Sequence, residues 1–137
     1  MKNDVKKVSI EIVSVINGEE NHWQTTGEYR LDGDTHLLAY TDYASNAITK
    51  NGLYAGKESM LLHRTGGITG DMLFDLRNAT ITKYAVFSVE TDFVIQTDDY
   101  KVNTTEDGLE IYVRYTLTDK NDARPIYGAQ RIFITML

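Results

Sequence analysis

The sequence predicts an all-β fold, an antiparallel meander closed into a barrel of about eight or nine strands. Three observations support this prediction: apolar and polar residues alternate in several segments, tyrosine is abundant, and turn dipeptides recur along the chain. Nine of the 137 residues are tyrosines, a residue type that suits a pleated, half-buried surface. Helical periodicity is weak nearly everywhere.

Alternation is clearest in Leu109–Leu117, where every second residue is apolar or aromatic. Such a pattern is typical of a strand with one buried face. Val8–Ile12 shows the same pattern near the start of the chain, which favours a strand over a signal peptide. The other predicted strands are Trp23–Leu31, Thr35–Tyr43, Tyr54–Arg64, Asp71–Leu76, Thr80–Phe87, Phe93–Val102 and Ile126–Thr135.

Turn signals separate these strands. The dipeptides suited to tight hairpin turns are Asn17-Gly18, Asp32-Gly33, Asn51-Gly52, Gly66-Gly67 and Asp107-Gly108. Short connections imply antiparallel neighbours, because a parallel crossover needs a dozen or more residues. A meander with one apolar face is covered either by a second sheet or by closure, and closure also removes exposed edges.

Two local features are weaker. Pro125 is expected to precede the last strand, where it costs no hydrogen bond of the sheet. Ala44–Asn51 has mild helical character, which predicts at most one short helical turn.

Composition limits the class of protein. The length fits one domain, residues 1–137. The absence of cysteine excludes disulfides and thiolate chemistry, and it predicts a cytoplasmic protein. A net charge of −6 without a basic run argues against nucleic-acid binding. No apolar stretch is long enough for a membrane-spanning helix, so no membrane association is expected.

Three groups of residues in the middle of the chain resemble the YwiB-like family of uncharacterised bacterial proteins, which have a calycin-type, lipocalin-like barrel. The groups are Gly27-Glu28-Tyr29 with Leu38–Asp42, Leu61–Gly66 with Met72-Leu73-Phe74, and Tyr84 with Ile95-Gln96-Thr97 and the Tyr115 strand. The similarity extends from about Val8 to about Ile134. It implies the barrel fold and no established activity. It also suggests a lipocalin-like contact between Trp23 and Arg131.

The sequence departs from the family pattern at two places. Asp42 stands where the family tends to have glutamate, and residues 85–88 replace a Thr-Pro-aromatic-Gly turn. A site shaped by that turn in relatives is therefore in question here.

Catalytic and metal-binding patterns are not visible in the sequence. His22, His36 and His63 lack the close spacing of zinc ligands. The segment 66–70 is rich in glycine but matches no phosphate-binding motif, and Ser59 lies in no nucleophile elbow. The acidic residues at 90–99 lack the spacing of a calcium loop. No cofactor, metal or catalytic residue is therefore predicted.

The candidate ligand-binding residues are polar side chains on otherwise apolar strand faces. Tyr40 and Asp42 share a face with Leu38, while Glu58 and Arg64 share one with Leu62. Charges that face the barrel interior would have to be paired, and such a group is suited to holding a polar ligand. The alternatives are an outward orientation or a purely structural ion pair. With the tyrosines of the family pattern, the candidates are Tyr40, Asp42, Glu58, Arg64, Tyr84 and Tyr115.

Three functions remain open. The first is a non-catalytic barrel that binds a small or lipid-like ligand in its interior. The second is a protein-interaction or homodimeric module, suggested by the apolar end Ile132–Leu137, which is able to pair across a two-fold axis. The third, an enzyme of unknown reaction, has the least support.

Overall fold

The computed structural model describes residues 4–43, 47–86 and 89–137, and it forms a closed barrel of antiparallel strands. Each strand pairs with its neighbours in the chain, and the last strand pairs with the first. The all-β meander and its closure are thereby confirmed. The strands are β1 (Lys6–Ile16), β2 (Glu19–Asp32), β3 (Thr35–Asp42), β4 (Thr49–Ala55), β5 (Ser59–Gly66), β6 (Ile68–Asp75), β7 (Thr80–Val86), β8 (Val89–Thr104), β9 (Gly108–Asp119) and β10 (Asp122–Met136).

The described residues form ten strands, where eight or nine were expected, because the predicted strand Tyr54–Arg64 is two strands. β4 ends at Ala55 and β5 begins at Ser59, and the N–H of Gly56 donates to the carbonyl of Ser59 at 2.9 Å. Residues 56–58 contain no strong turn dipeptide, so the sequence pattern did not reveal this tight turn.

The dipeptide Asn51-Gly52, expected as a turn, lies instead inside β4. Both residues are paired on both sides, because β4 lies between β3 and β5. The helical turn expected at Ala44–Asn51 is wrong for residues 49–51, which are strand, and residues 44–46 lie outside the described part of the chain.

Other turn predictions agree with the backbone. Asn17 and Gly18 join β1 to β2 with φ angles of 49° and 84°, as the positive-φ turn requires.

Pro125 lies inside β10 rather than before it, at a place where pairing with β9 shifts between Asp122 and Ile126. A proline is tolerated there because the regular hydrogen bonding is already interrupted.

Inward-facing side chains form rows across neighbouring strands, because directly paired residues point to the same face of the sheet. Two rows across β3–β6 are largely apolar and fill one half of the interior. They are Leu38–Leu53–Leu62–Met72 and His36–Ala55–Met60–Phe74. With Val8, Ile10, Ile95, Ile111, Val113 and Ile132, all less than 2% exposed, they form the core.

The next row towards one barrel end is polar. It runs from Tyr40 on β3 through Asn51 on β4 to Arg64 on β5 and Gly70 on β6. Beyond it lie Asp42 and Thr49. We call this end the polar end of the barrel. No helix in the described ranges has the length and apolar character needed to cross a membrane.

Candidate ligand site at the polar end of the barrel

The polar row brings together residues from three consecutive strands. Tyr40 is paired directly with Asn51, and Asn51 is paired directly with Arg64. Because all three residues follow the inward phase of their strands, their side chains lie inside the barrel, where Tyr40 and Asn51 are buried. Four of the predicted candidates, Tyr40, Asp42, Arg64 and Tyr84, therefore meet in space.

Arg64 is at the centre of this group. Its Nε donates to Oδ1 of Asn51 at 2.8 Å, and its Nη1 donates to the hydroxyl oxygen of Tyr84 at 2.7 Å. Its Nη2 contacts Oδ2 of Asp42 at 3.4 Å. The two short hydrogen bonds go to uncharged partners, and the contact with the carboxylate is the longest of the three. Asn51 and Tyr84 therefore fix the guanidinium plane.

The Arg64–Asp42 pair is largely withdrawn from water. The side chains are 17% and 16% exposed, respectively. Moving two charges out of water costs several kcal/mol per ion, and their attraction repays this cost only with good geometry. A hydrophobic pair of similar volume often stabilises a protein at least as well. The ion pair is therefore a feature that stability alone does not require.

The tyrosines around Arg64 stay protonated near neutral pH. Burial raises the pKa of Tyr40 to about 12, although Arg64 opposes this and Asp42 and Tyr84 add to it. Burial also raises the pKa of Tyr84, against the lowering effect of Arg64 and of its hydrogen bond. Both hydroxyls are thus neutral groups that can donate as well as accept a hydrogen bond.

Tyr115 lies on the opposite wall. Its ring packs against Phe74 with centroids 5.0 Å apart, and burial raises the pKa of its hydroxyl. It is paired directly with Gly128, where an added Cβ would lie 2.5 Å from the ring. A glycine at position 128 therefore makes the space that the Tyr115 ring occupies.

Thr97 is the direct partner of Tyr115 on β8 and is 8% exposed. Within the described residues, its buried hydroxyl oxygen has no hydrogen-bond partner. Such a group costs about 1–3 kcal/mol unless something else satisfies it. A bound polar molecule is one means of doing so.

Glu58 does not belong to this group. It precedes β5, its side chain is 53% exposed, and its carboxylate pairs with Nη2 of Arg77 at 2.7 Å. Glu58 was predicted on the same face as Arg64 because the predicted strand Tyr54–Arg64 continued through the turn at residues 56–58. The turn breaks the alternation and leaves Glu58 at the surface.

The expected Trp23–Arg131 contact is replaced by two separate ones. Trp23 packs against Tyr40 with ring centroids 5.9 Å apart, at the polar end. The guanidinium of Arg131 lies 5.5 Å from the centroid of the Tyr112 ring. Arg131 is exposed and pairs directly with Tyr112 of β9, so its side chain is on the outer face.

Sequence reasoning missed Asn51, Thr97 and Trp23 as members of the site. A signal for Asn51 was present, because Thr49, Asn51, Leu53 and Ala55 alternate as one inward face. Because Asn51-Gly52 is also a typical turn dipeptide, these two residues were predicted as a turn and not as part of a strand. Thr97 is an ordinary strand threonine in sequence, and only its buried hydroxyl distinguishes it.

A groove reaches the site from the side of the barrel. It has a volume of about 610 Å³ and lies where β2 extends past the end of β3. This volume is within the range of ligand pockets. Asp42 and Trp23 line the groove, whereas Arg64 is not among its lining residues. The described residues that line it are Asn21, His22, Trp23, Gln24, Thr25, Thr41, Asp42 and Tyr43.

The histidines are separated in the fold. His22 contacts Oε2 of Glu20 at 2.8 Å, His63 pairs with Asp71 on the outer face, and Nδ1 of His36 lies 2.7 Å from the hydroxyl of Tyr29. In the described ranges, no three or more histidine, aspartate or glutamate side chains are grouped so that they could hold a metal ion.

The fold and the sequence together define the family. The profile described as a domain of unknown function (DUF1934) matches residues 7–126, and the chain belongs to this family. Among solved structures, the chain is similar to the crystal structure of the ywiB protein from Bacillus subtilis. The TM-score is 0.85 at 19% sequence identity, with 97% of this chain and 93% of that chain covered. No curated protein matches the sequence. The structural similarity supports the shared fold.

Proposed function

We propose that the protein is a non-catalytic binder of a small polar ligand, held at the polar end of the barrel beside the Arg64–Asp42 ion pair. The observation that carries this proposal is the Arg64–Asp42 ion pair, withdrawn from water and oriented by Asn51 and Tyr84. A buried charged network costs stability, and such costs are typical of binding sites.

The packing of the other half of the barrel narrows the ligand class. Leu53, Met60 and Phe74 are almost completely buried and occupy the apolar rows. A lipid-like ligand needs an open apolar cavity, and these side chains fill that region. A small polar ligand at the groove and the polar row suits the packing better. We retain the calycin-type classification and a cytoplasmic location as part of the proposal, the latter because the chain has no cysteine.

Native mass spectrometry of protein purified from its own host tests this function. We expect one bound small mass on the wild type, retained in Tyr127→Phe and reduced in Tyr84→Phe. Both changes remove one hydroxyl, but Tyr127 is 61% exposed on the surface, whereas Tyr84 accepts from Arg64. A wild-type protein that carries no small mass, and whose Trp23 fluorescence does not respond to a host metabolite extract, would contradict the proposal.

Homodimeric assembly is a second candidate, and one surface favours it. An outward-facing row of directly paired residues crosses the four strands β3 to β6. It consists of Leu37, Tyr54, Leu61 and Leu73. This row carries no charge on a chain of net charge −6, so it is a face on which a second copy meets the least repulsion. The edge pairing expected for Ile132–Leu137 is less suitable, because β10 is already paired with both β1 and β9.

Sedimentation velocity over a wide concentration range tests the assembly. We expect Leu73→Lys to abolish a dimer and Val89→Lys, the same kind of change at an exposed apolar residue outside the row, to leave it intact. A wild type that sediments as a monomer at every concentration would exclude this candidate.

A further inference from the structure

The groove and the ion pair have a fixed electrical orientation. Asp42 lines the groove, while Arg64 lies on the interior side of Asp42. The pair is neutral as a whole, but its negative end is the end that faces the groove. The charge of Arg64 is directed towards Asn51, Tyr84 and Asp42. A charged ligand in the groove therefore meets the carboxylate first.

The other walls of the groove strengthen this preference. The described lining residues include no lysine or arginine. They include two aromatic rings: Trp23, which is half-buried and held by its contact with Tyr40, and Tyr43, which is 71% exposed. The faces of aromatic rings attract cations, and tryptophan is the strongest of them. A carboxylate beside two such rings is the chemistry that recognises organic ammonium groups.

Two further carboxylates contact residues that line the groove. The lining residue His22 contacts the carboxylate of Glu20 at 2.8 Å, and Gln24 donates to Glu11 at 3.2 Å. The whole chain carries a net charge of −6. A cationic ligand is therefore attracted from a distance, while an anionic one is repelled.

We propose that the groove between β2 and β3 binds a small organic cation, whose ammonium group lies between Trp23 and the carboxylate of Asp42. This inference rests on the proposed function, because it names the class of ligand for the same site. The ligand's cationic group stays in the groove, on the side of Asp42 that is away from Arg64.

The test uses three probes of one shape and different charge: choline, its uncharged carbon isostere neohexanol, and the anion tert-butylacetate. Trp23 is the only tryptophan of the chain, so its fluorescence reports occupancy of the groove directly. Titration of the full chain should show saturable binding of choline. We expect neohexanol to bind at least about tenfold more weakly, since a cation–π contact with a nearby carboxylate is worth roughly a factor of ten. Tert-butylacetate should not bind.

Two variants locate the cation. Asp42→Asn should weaken choline at least about tenfold and leave neohexanol unchanged, because it removes the carboxylate's attraction and leaves the positive charge of Arg64 uncompensated. Glu90→Gln is the matched control, because Glu90 is exposed on the outer face opposite Lys83. Should Asp42→Asn not fold, Tyr43→Leu replaces it, because Tyr43 is exposed and its loss leaves the core intact. Tyr43→Leu should weaken choline several-fold, and Tyr127→Leu should not.

The outcomes separate the two proposals. Equal binding of choline and neohexanol, or tighter binding of tert-butylacetate, would contradict the proposal that the ligand is a cation. Neither result would contradict the proposal of a small-ligand site. The same holds if none of the probes binds but native mass spectrometry detects another small mass. If no probe binds and no small mass is found, both the proposal of a cationic ligand and the proposed function are contradicted.

Discussion

Arg64 on β5 and Asn51 on β4 are directly paired, and inside the barrel Nε of Arg64 donates to Oδ1 of Asn51 at 2.8 Å. This hydrogen bond links adjacent strands through their side chains as well as their backbones. It also fixes the guanidinium so that Nη1 reaches Tyr84 on β7. The geometry of the candidate site thus depends on one uncharged residue in the middle of β4.

Replacement of Asn51 should therefore destabilise the protein. Asn51→Ala leaves a charged N–H inside the barrel without its acceptor, which should lower the free energy of unfolding by about 1–3 kcal/mol. Urea denaturation measures the change. Asn78→Ala is the control, because Asn78 is exposed and makes only a long contact of 3.4 Å with Asp75, and it should change the free energy by less than about 0.5 kcal/mol. An equal effect of the two changes would show that the buried hydrogen bond contributes nothing.

Gly70 should not tolerate a side chain. Its φ angle is +149°, and an added Cβ would lie 2.8 Å from Cδ1 of Tyr84 and 2.9 Å from the carbonyl oxygen of Lys83. Gly70→Ala should therefore cost about 1–3 kcal/mol of unfolding free energy through strain, and it should displace the Tyr84 ring. Thermal unfolding and the Tyr84 ring resonances measure the two effects.

Gly56→Ala is the matched control for that change. An added Cβ at Gly56 comes no closer than 3.4 Å to the carbonyl oxygen of Ser59, which is an ordinary contact. We expect its unfolding free energy to stay within about 0.5 kcal/mol of the wild type. A Gly70→Ala variant as stable as Gly56→Ala would contradict the close packing of Tyr84 on β6.

Tyr40 should make stability depend on pH in alkali. Burial raises the pKa of its hydroxyl to about 12 from an unfolded value of 10.0. The folded state therefore keeps a proton that the unfolded state loses, so this contribution is complete below pH 10.0 and is lost as the pH rises towards 12. Urea unfolding at a series of alkaline pH values should show a steeper loss for the wild type than for Tyr40→Phe. Parallel curves would mean that the hydroxyl of Tyr40 is not buried in the folded state.

His36 should have the opposite effect on the acid side. Its Nδ1 lies 2.7 Å from the hydroxyl of Tyr29, and burial lowers the pKa of its ring below 6.5. The unfolded state then binds more protons, so the stabilisation is present above pH 6.5 and is lost as the pH falls through the folded value. His36→Gln should remove this part of the acid sensitivity, and the difference from the wild type in urea unfolding measures it. An unchanged acid profile would contradict a desolvated His36.

The sequence predicts the barrel well where one face of a strand is apolar throughout. Leu109–Leu117 became the larger part of β9 because each of its alternate residues enters the core or packs against it. The split between β4 and β5 was not predictable, because Gly56, Lys57 and Glu58 contain no turn dipeptide, although the inward positions shift from Ala55 on β4 to Met60 on β5. Local pattern specifies strand faces, but the end of a strand depends on which neighbour supplies its hydrogen bonds.

The candidate site was predictable only in part for the same reason. Tyr40, Asp42 and Arg64 stand on otherwise apolar faces, and that placement made an inward orientation one of the alternatives that the sequence left open. The hydrogen bond from Arg64 to Asn51 depends on the register between β4 and β5. Register is a property of two strands together, so neither sequence segment contains it alone. The Asn-Gly pair even favoured a turn, and tertiary pairing overrode that preference.

The pairing of β1 with β10 has a consequence for how the chain is made. Val8 pairs with Met136, so the second edge of β1 stays uncovered until β10 has been made. Without β10 the described strands cannot close, and the sheet that they form has two unprotected edges, each able to pair with a foreign strand. Closure by such distant partners is also slow. A chain that lacks β10 is therefore expected to aggregate more readily than the full chain.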